Sequence, residues 1–271
     1  MNLANSPCEN QVEFPKSATQ TWQLLFMRAN SRPIVSSQTN VHDQLENLVA
    51  RHTASQFLKP IAPYSEVAFD ASIAAWQRAG DLPLILDAGC GTGVSTLHLA
   101  MQFPEHFVIG VDQSADRLAR NVSWTGPLPS NFIKVRADLS DYWRLMLQAG
   151  IYPDRHYLLY PNPWPKKHHI GRRWHGHPAF PTIVALGGHF ECRSNWRIYI
   201  DECAAALRQL TATDIATEPY FPYDANVPEQ LPDMPAVSTF PITPFEYKYF
   251  ASGHSLWRCR IHITQAGKLR K

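Results

Sequence analysis

A chain of 271 residues is long enough for one α/β domain of the larger kind, with room for a tail or an insertion. Its 45 % hydrophobic and 18 % charged content suits a globular protein, and a net charge of only +2 excludes a general polycation, so any attraction for phosphate must come from a local patch. No stretch approaches the ~20 consecutive apolar residues of a membrane span, and no basic segment with an apolar core opens the chain, so neither a membrane anchor nor a secretory leader is expected. The five cysteines, Cys8, Cys90, Cys192, Cys203 and Cys259, are widely spaced and odd in number. They lack the pairing of a zinc knuckle or a redox dithiol, so the expectation is buried free thiols in a reducing, cytoplasmic setting.

Residues 1–40 are polar and interrupted by Pro7, Pro15 and Pro33. Apart from an apolar run at 22–27 they show little periodicity, and they read as a loose, flexible extension to a domain over 41–271. Leu45, Leu48, Val49 and Phe57 fall near helical spacing and predict a helix within 41–58; Val67, Phe69, Ile73 and Trp76 predict another over 65–78. A regular alternation then sets in. The strand Leu84-Ile85-Leu86 leads through glycines to a helix over 94–103. Strand 107–111 precedes a helix over 114–121, strand 132–135 a helix near 142–149, and strand 156–160 a run of prolines. A helix over 179–186, a strand over 189–193 and a long helix over 196–210 follow. Strands are expected at 215–217 and 256–263, separated by a Pro-rich segment and a short helix near Phe245. Short apolar strands alternating with helices imply a parallel sheet covered on both faces. With a C-terminal antiparallel hairpin, the pattern resembles the seven-stranded, mostly parallel Rossmann-like α/β sheet of class I methyltransferases.

In an open parallel sheet, ligands bind beyond the carboxyl ends of the strands. The turn Asp87-Ala88-Gly89-Cys90-Gly91-Thr92-Gly93 lies there. Its spacing is G-x-G-x-G rather than the G-x-G-x-x-G of dinucleotide folds, which argues against NAD. Gly89 and Gly91 permit tight backbone and close ligand approach. Asp87 can accept a hydrogen bond, directly or through water, from a ligand ammonium, or it can cap the loop. Asp112, closing the second strand, suits both hydroxyls of a ribose, and its alternative is to cap the helix beginning at Ser114. Asp138, after the third strand, suits an adenine amino group. Asp141 could serve there too, although capping the next helix fits it better.

The fourth strand runs into Tyr160-Pro161-Asn162-Pro163-Trp164-Pro165-Lys166-Lys167-His168-His169, then Arg172-Arg173. This run resembles the F-P-D-P-W-P-K-K-R-H-x-K-R-R signature of the bacterial tRNA guanine-N7 methyltransferase family. Gly187-Gly188-His189-Phe190 with Ser194-Asn195-Trp196-Arg197-Ile198-Tyr199 resembles its G-G-x-[FL]…T-D-W-x-x-Y. Thr243-Pro244-Phe245-Glu246 with Gly253-His254 resembles its T-x-[FY]-E…G-H. The likeness extends over about 80–262 and makes 41–271 a methyltransferase domain.

The resemblance implies S-adenosyl-L-methionine as the methyl donor, held by Asp87, Gly89, Gly91, Asp112, Asp138 and Asn162. It makes Asn162 the catalytic position and Lys166, Asn195, Thr243 and Glu246 the acceptor pocket. The expected activity is methyl transfer to guanine N7 during tRNA modification. Two departures matter, because the family has Asp at 162 and 195. A carboxylate can accept two hydrogen bonds from guanine N1 and N2, whereas Asn offers one acceptor and one donor group, so guanine selection should loosen. Asn162-Pro163-Trp164 also resembles the N-P-P-[YFW] loop of amino methyltransferases. A nucleobase amine, a small molecule, and a silent RNA-binding role therefore stay open. Asn195 can instead cap the helix starting at Trp196, and Thr243 with Glu246 can form a capping box. Trp164 either stacks a base or plugs the space beneath the loop. Lys166, Lys167, Arg172 and Arg173, with His168, His169, His175 and His177, form the densest basic stretch, a candidate for tRNA phosphate or a solvated loop. No carboxylates or cysteines accompany these histidines at ligand spacing, so no metal is expected, and a monomer is favoured.

Overall fold

A computed structural model describes residues 30–122, 124, 127–222 and 242–264. Cys8, the run at 22–27 and most of the Pro-rich segment lie outside the described residues. The helices are α1 (Leu45–Ala54), α2 (Pro63–Arg78), α3 (Val94–Gln102), α4 (Ala115–Leu118), α5 (Leu139–Gln148), α6 (Phe180–Leu186), α7 (Arg197–Thr211) and α8 (Pro244–Ala251). The strands are β1 (Leu84–Ala88), β2 (Phe107–Asp112), β3 (Phe132–Arg136), β4 (Arg155–Leu159), β5 (Gly188–Ser194), β6 (Glu218–Tyr220) and β7 (Leu256–Ile263). Two 3-10 turns, Lys167–Arg172 and Trp174–Gly176, follow β4.

The seven strands form one sheet in the order β3-β2-β1-β4-β5-β7-β6. β1 to β5 are mutually parallel, and β7 runs antiparallel to both β5 and β6. This is the expected Rossmann-like class I methyltransferase sheet. Alternate strand residues enter two cores. Leu84, Leu86, Ile109 and Leu158 face α1, α2, α5, α6 and α7, whereas Ile85, Val108, Tyr157 and Leu159 face α3 and α8. β1 and β2 are buried along their whole length, as strands covered on both faces must be.

Two boundaries differ from the sequence expectation for local reasons. The strand expected at 215–217 lies at Glu218–Tyr220, where pairing with β7 begins. Ile215 is instead buried, and its carbonyl accepts Arg208 Nη1 at 2.5 Å. The helix expected over 114–121 is only the turn Ala115–Leu118, capped by Ser114 Oγ accepting from Arg117 N–H. Residues 31–40, read as part of a loose extension, lie with residues 41–42 against the domain. Gln38 and His42 are buried there, and Ser31 N–H donates to Ser252 Oγ at 3.1 Å.

Gly110 ties the sheet to the glycine turn. A Cβ at this position would sit 2.2 Å from Thr96 Oγ1 and 3.1 Å from Cys90 Sγ. Only glycine lets α3 pack Thr96 directly onto β2. Gly110→Ala should therefore overpack the interface and cost about 1–3 kcal/mol. Urea unfolding checks this, and an unchanged midpoint would contradict the packing described.

Candidate active site

Because β1 to β5 are parallel, the turns that follow them share one edge of the sheet. Gly89, Gly91 and Gly93 have φ of 83°, 59° and 86°, a left-handed region in which side chains are strained. The turn is fastened to β2. Gly89 and Cys90 N–H groups donate to the Val111 carbonyl at 2.8 and 3.0 Å, and Gly91 N–H donates to Asp112 Oδ2 at 2.9 Å. At Gly91 a Cβ would meet nothing within 4 Å, so open space adjoins the backbone there. At Gly93 a Cβ would collide with Lys134, whose Nζ donates to the Thr92 carbonyl at 3.1 Å.

Asp87 ends 1 % exposed. Its Oδ2 accepts the hydroxyls of Ser95 and Thr96 at 2.6 and 2.7 Å. Burial pushes its pKa up to about 6, the two hydroxyls pull it down, and nearby Asp112 adds to the rise. No cation among the described residues pairs with it. A buried carboxylate without a counter-ion suits a cationic ligand group. Asp112 is also buried; its Oδ1 accepts from Ser114 N–H at 2.8 Å and from the half-exposed Arg117 at 3.1 Å. Open space at Gly91, whose N–H is held by Asp112, together with the unpaired charge of Asp87 is compatible with a ligand bearing both an ammonium and a ribose.

Of the two acidic residues after β3, Asp138 makes the cap that was expected of Asp141. Asp138 is the N-cap of α5, with Oδ1 accepting from Ser140 and Asp141 N–H, and Oδ2 paired with Lys59 at 2.9 Å. Asp141, expected to cap, is fully buried instead and accepts from Ala62 N–H, Ser65 Oγ and Arg144. Asp138 stays partly exposed, with Lys59 beside the oxygen that an adenine amino group would approach.

The loop after β4 is shaped by two residues in the left-handed region, Tyr160 (φ 50°) and Trp164 (φ 44°). Each non-glycine residue there costs roughly 1–2 kcal/mol, so the surroundings must hold the loop. At its start, Tyr160 Oη donates to Glu246 Oε1 at 2.9 Å, and the same oxygen accepts Arg193 Nη1 at 3.0 Å. At its end, Arg173 Nε donates to the Trp164 carbonyl at 3.2 Å and Ser36 Oγ to the Pro165 carbonyl at 2.6 Å. Asn162 lies exposed between these anchors, and its Oδ1 accepts Trp164 N–H at 3.4 Å.

Several expected acceptor residues occupy other positions. Glu246 is fully buried and accepts from Tyr160, Arg193 and Ile242 N–H, so it lies beneath the loop rather than open to substrate. Thr243 caps α8 by accepting Glu246 N–H at 2.9 Å. Asn195 does not cap α7, because Ser194 Oγ takes Trp196 N–H; its amide donates to His254 Nδ1 at 3.0 Å. Lys166 is exposed beside the loop. The basic stretch divides. Lys166, Lys167 and Arg172 face outward, with Arg172 stacked on Trp164 at 4.8 Å. Arg173 and His175 are buried against Glu202, so Arg173 cannot meet phosphate. Glu202 escaped the sequence reading, although a lone carboxylate between Tyr199, Cys203 and Ala206 on a helix was a signal for it. Arg193, Ser95 and Thr96 carried no such mark. Among the described residues no helix is long and apolar enough to cross a membrane, and no group is arranged to hold a metal.

A family model described as "Putative methyltransferase" matches residues 81–259. The tRNA (guanine-N(7)-)-methyltransferase of Zymomonas mobilis subsp. mobilis is 26 % identical over 241 residues, covering 83 % of this chain and 98 % of that protein. The enzyme of that name from Saccharophagus degradans is 28 % identical over 201 residues, covering 72 % and 82 %. Among solved structures, the 16S rRNA methyltransferase KamB is 15 % identical with a TM-score of 0.45, covering 76 % of this chain and 97 % of that one.

Proposed function

The chain belongs to this methyltransferase family, and on that premise we propose that it transfers a methyl group from S-adenosylmethionine to N7 of a guanine in tRNA. The observation that carries the reading is adjacency. The glycine turn follows β1 and the Pro-Asn-Pro-Trp-Pro loop follows β4, and these strands are direct parallel neighbours. When bound, S-adenosylmethionine supplies an activated methyl on a sulfonium. Asp87 would meet its ammonium, Asp112 its ribose hydroxyls on displacing Arg117, and Gly89 and Gly91 would allow its close approach. Asp138, beside Lys59, would take the adenine amino group.

Guanine N7 presents a lone pair without loss of a proton, so the protein need only align it and exclude water. Such alignment can contribute on the order of 7–11 kcal/mol to lowering a barrier. Asn162 Oδ1 accepts Trp164 N–H and keeps a second lone pair for a guanine N–H, the contact that a carboxylate would strengthen. Lys166, Lys167 and Arg172 would meet tRNA phosphates, in a cytoplasm that keeps the buried thiols of Cys90, Cys192, Cys203 and Cys259 reduced.

The test is radiolabelled methyl transfer to bulk tRNA, followed by digestion and nucleoside identification. Label in 7-methylguanosine supports the proposal, and label in methylated adenosine or cytidine overturns it. Restoring the carboxylate with Asn162→Asp should raise kcat/KM about 5- to 30-fold, because a charge-assisted hydrogen bond is worth about 1–2 kcal/mol more than a neutral one. An Asn162→Asp enzyme no faster than the parent would show a pocket adapted to a different contact.

A further inference from the structure

We infer that Arg173 is a positioning residue that clamps residues 31–42 and the acceptor loop into one unit and holds that loop in the geometry needed for methyl transfer. The inference rests on the function proposed above. Arg173 is fully buried and directs its guanidinium at three elements. Nε and Nη2 donate to the carbonyls of Trp164 and Lys166 at 3.2 and 3.4 Å. Nη1 donates to both oxygens of Glu202 on α7 at 2.8 and 2.6 Å. Nη1 and Nη2 both reach Gln38 Oε1 at 3.1 Å.

Residues 31–42 close the arrangement. Gln38 Nε2 donates to Glu202 Oε1 at 2.5 Å, His42 N–H donates to that oxygen at 3.0 Å, and Ser36 Oγ donates to the Pro165 carbonyl. The far side of the guanidinium lies over the Trp196 ring at 4.8 Å. Every donor of the planar fork is therefore used, and two of them fix the carbonyls on either side of Pro165. Trp164, one of the two left-handed residues of the loop, is the residue whose carbonyl Nε holds. A lysine has a single point of charge and cannot span two loop carbonyls and a carboxylate together.

The experiment compares Arg173→Lys and Ser36→Ala with the parent enzyme. Loop order is read by the rate of tryptic cleavage after Lys166 and Lys167. Function is read by calorimetric affinity for S-adenosylmethionine and by kcat and KM on tRNA. Arg173→Lys should speed cleavage about tenfold and lower kcat by about 10- to 100-fold, because small misplacements of reacting groups carry penalties of that size. Affinity for S-adenosylmethionine should stay within about twofold, since none of the clamped groups touches the glycine turn. Ser36→Ala removes one loop contact and should shift both readouts the same way by about threefold. Unchanged cleavage, or faster cleavage with kcat intact, overturns the inference. If Arg173→Lys does not fold, Ser36→Ala decides by the same criteria. Should the parent transfer no methyl to tRNA, the proposed function fails, and cleavage alone then decides whether the clamp exists.

Discussion

Replacing Glu202 with alanine should destabilise the protein by about 3–5 kcal/mol, the usual consequence of leaving a buried charge without its partner. For a domain of this size that corresponds to a fall in melting temperature of roughly 6–20 °C. Glu202 is fully buried and receives Arg173, His175, Gln38 and the backbone of His42. Burial alone would raise its pKa, but the His175 hydrogen bond and the Arg173 charge outweigh burial and hold it down to about 2. Glu202→Gln keeps the shape and loses the charge, so it should be nearly as damaging as alanine. A glutamine variant of parental stability would mean that shape, not charge, matters here. The sign of the pH dependence follows. A carboxylate with a depressed folded-state pKa contributes stability that is fully present above its unfolded value of ~4.3 and is lost as pH falls toward 2. Asp87 acts in the opposite sense. Raised to about 6, its ionised form is a cost at neutral pH, and that cost disappears as pH falls through 6 toward its unfolded value.

The second large effect concerns the donor crevice. Asp112→Ala should weaken S-adenosylmethionine binding about 10- to 150-fold by calorimetry, because a hydrogen bond from a ribose hydroxyl to a charged group is worth about 1.5–3 kcal/mol. The variant also frees Gly91 N–H and Ser114 N–H, which Asp112 now accepts, so the turn itself loosens. Binding of an ammonium by Asp87 requires the ionised form, and affinity should therefore fall as pH drops below about 6. An Asp112→Ala protein that binds the donor as tightly as the parent would remove Asp112 from the site.

The fold was legible because its signal is repeated. The alternation of apolar strands with helices recurs from Leu84 to Thr211, and each β–α unit supports the reading of the next. The glycine turn and Asp112 were legible for the same reason, since spacing and strand ends determine where they fall. Side-chain destinations were not. Arg172 and Arg173 are neighbours in the chain and identical in chemistry, yet one lies over Trp164 at the surface and the other is buried against Glu202. That difference depends on α7 and residues 31–42, which are far away in sequence. Asp138 rather than Asp141 caps α5 because both lie within one turn of its start, and Ser65 and Ala62 from α2 and its N-terminal cap settle which one faces inward. Glu246 satisfied a local capping pattern, but its carboxylate is engaged by Tyr160, just after β4, and by Arg193 of β5.

The central claim is that a crevice at Gly91 and the loop around Asn162 act together on guanine N7. Borohydride reduction and aniline treatment cleave RNA at 7-methylguanosine, so tRNA incubated with the protein and S-adenosylmethionine should break at a discrete guanine. The break should be absent when the methyl donor is withheld. Methylated tRNA that stays intact under this treatment would contradict the account.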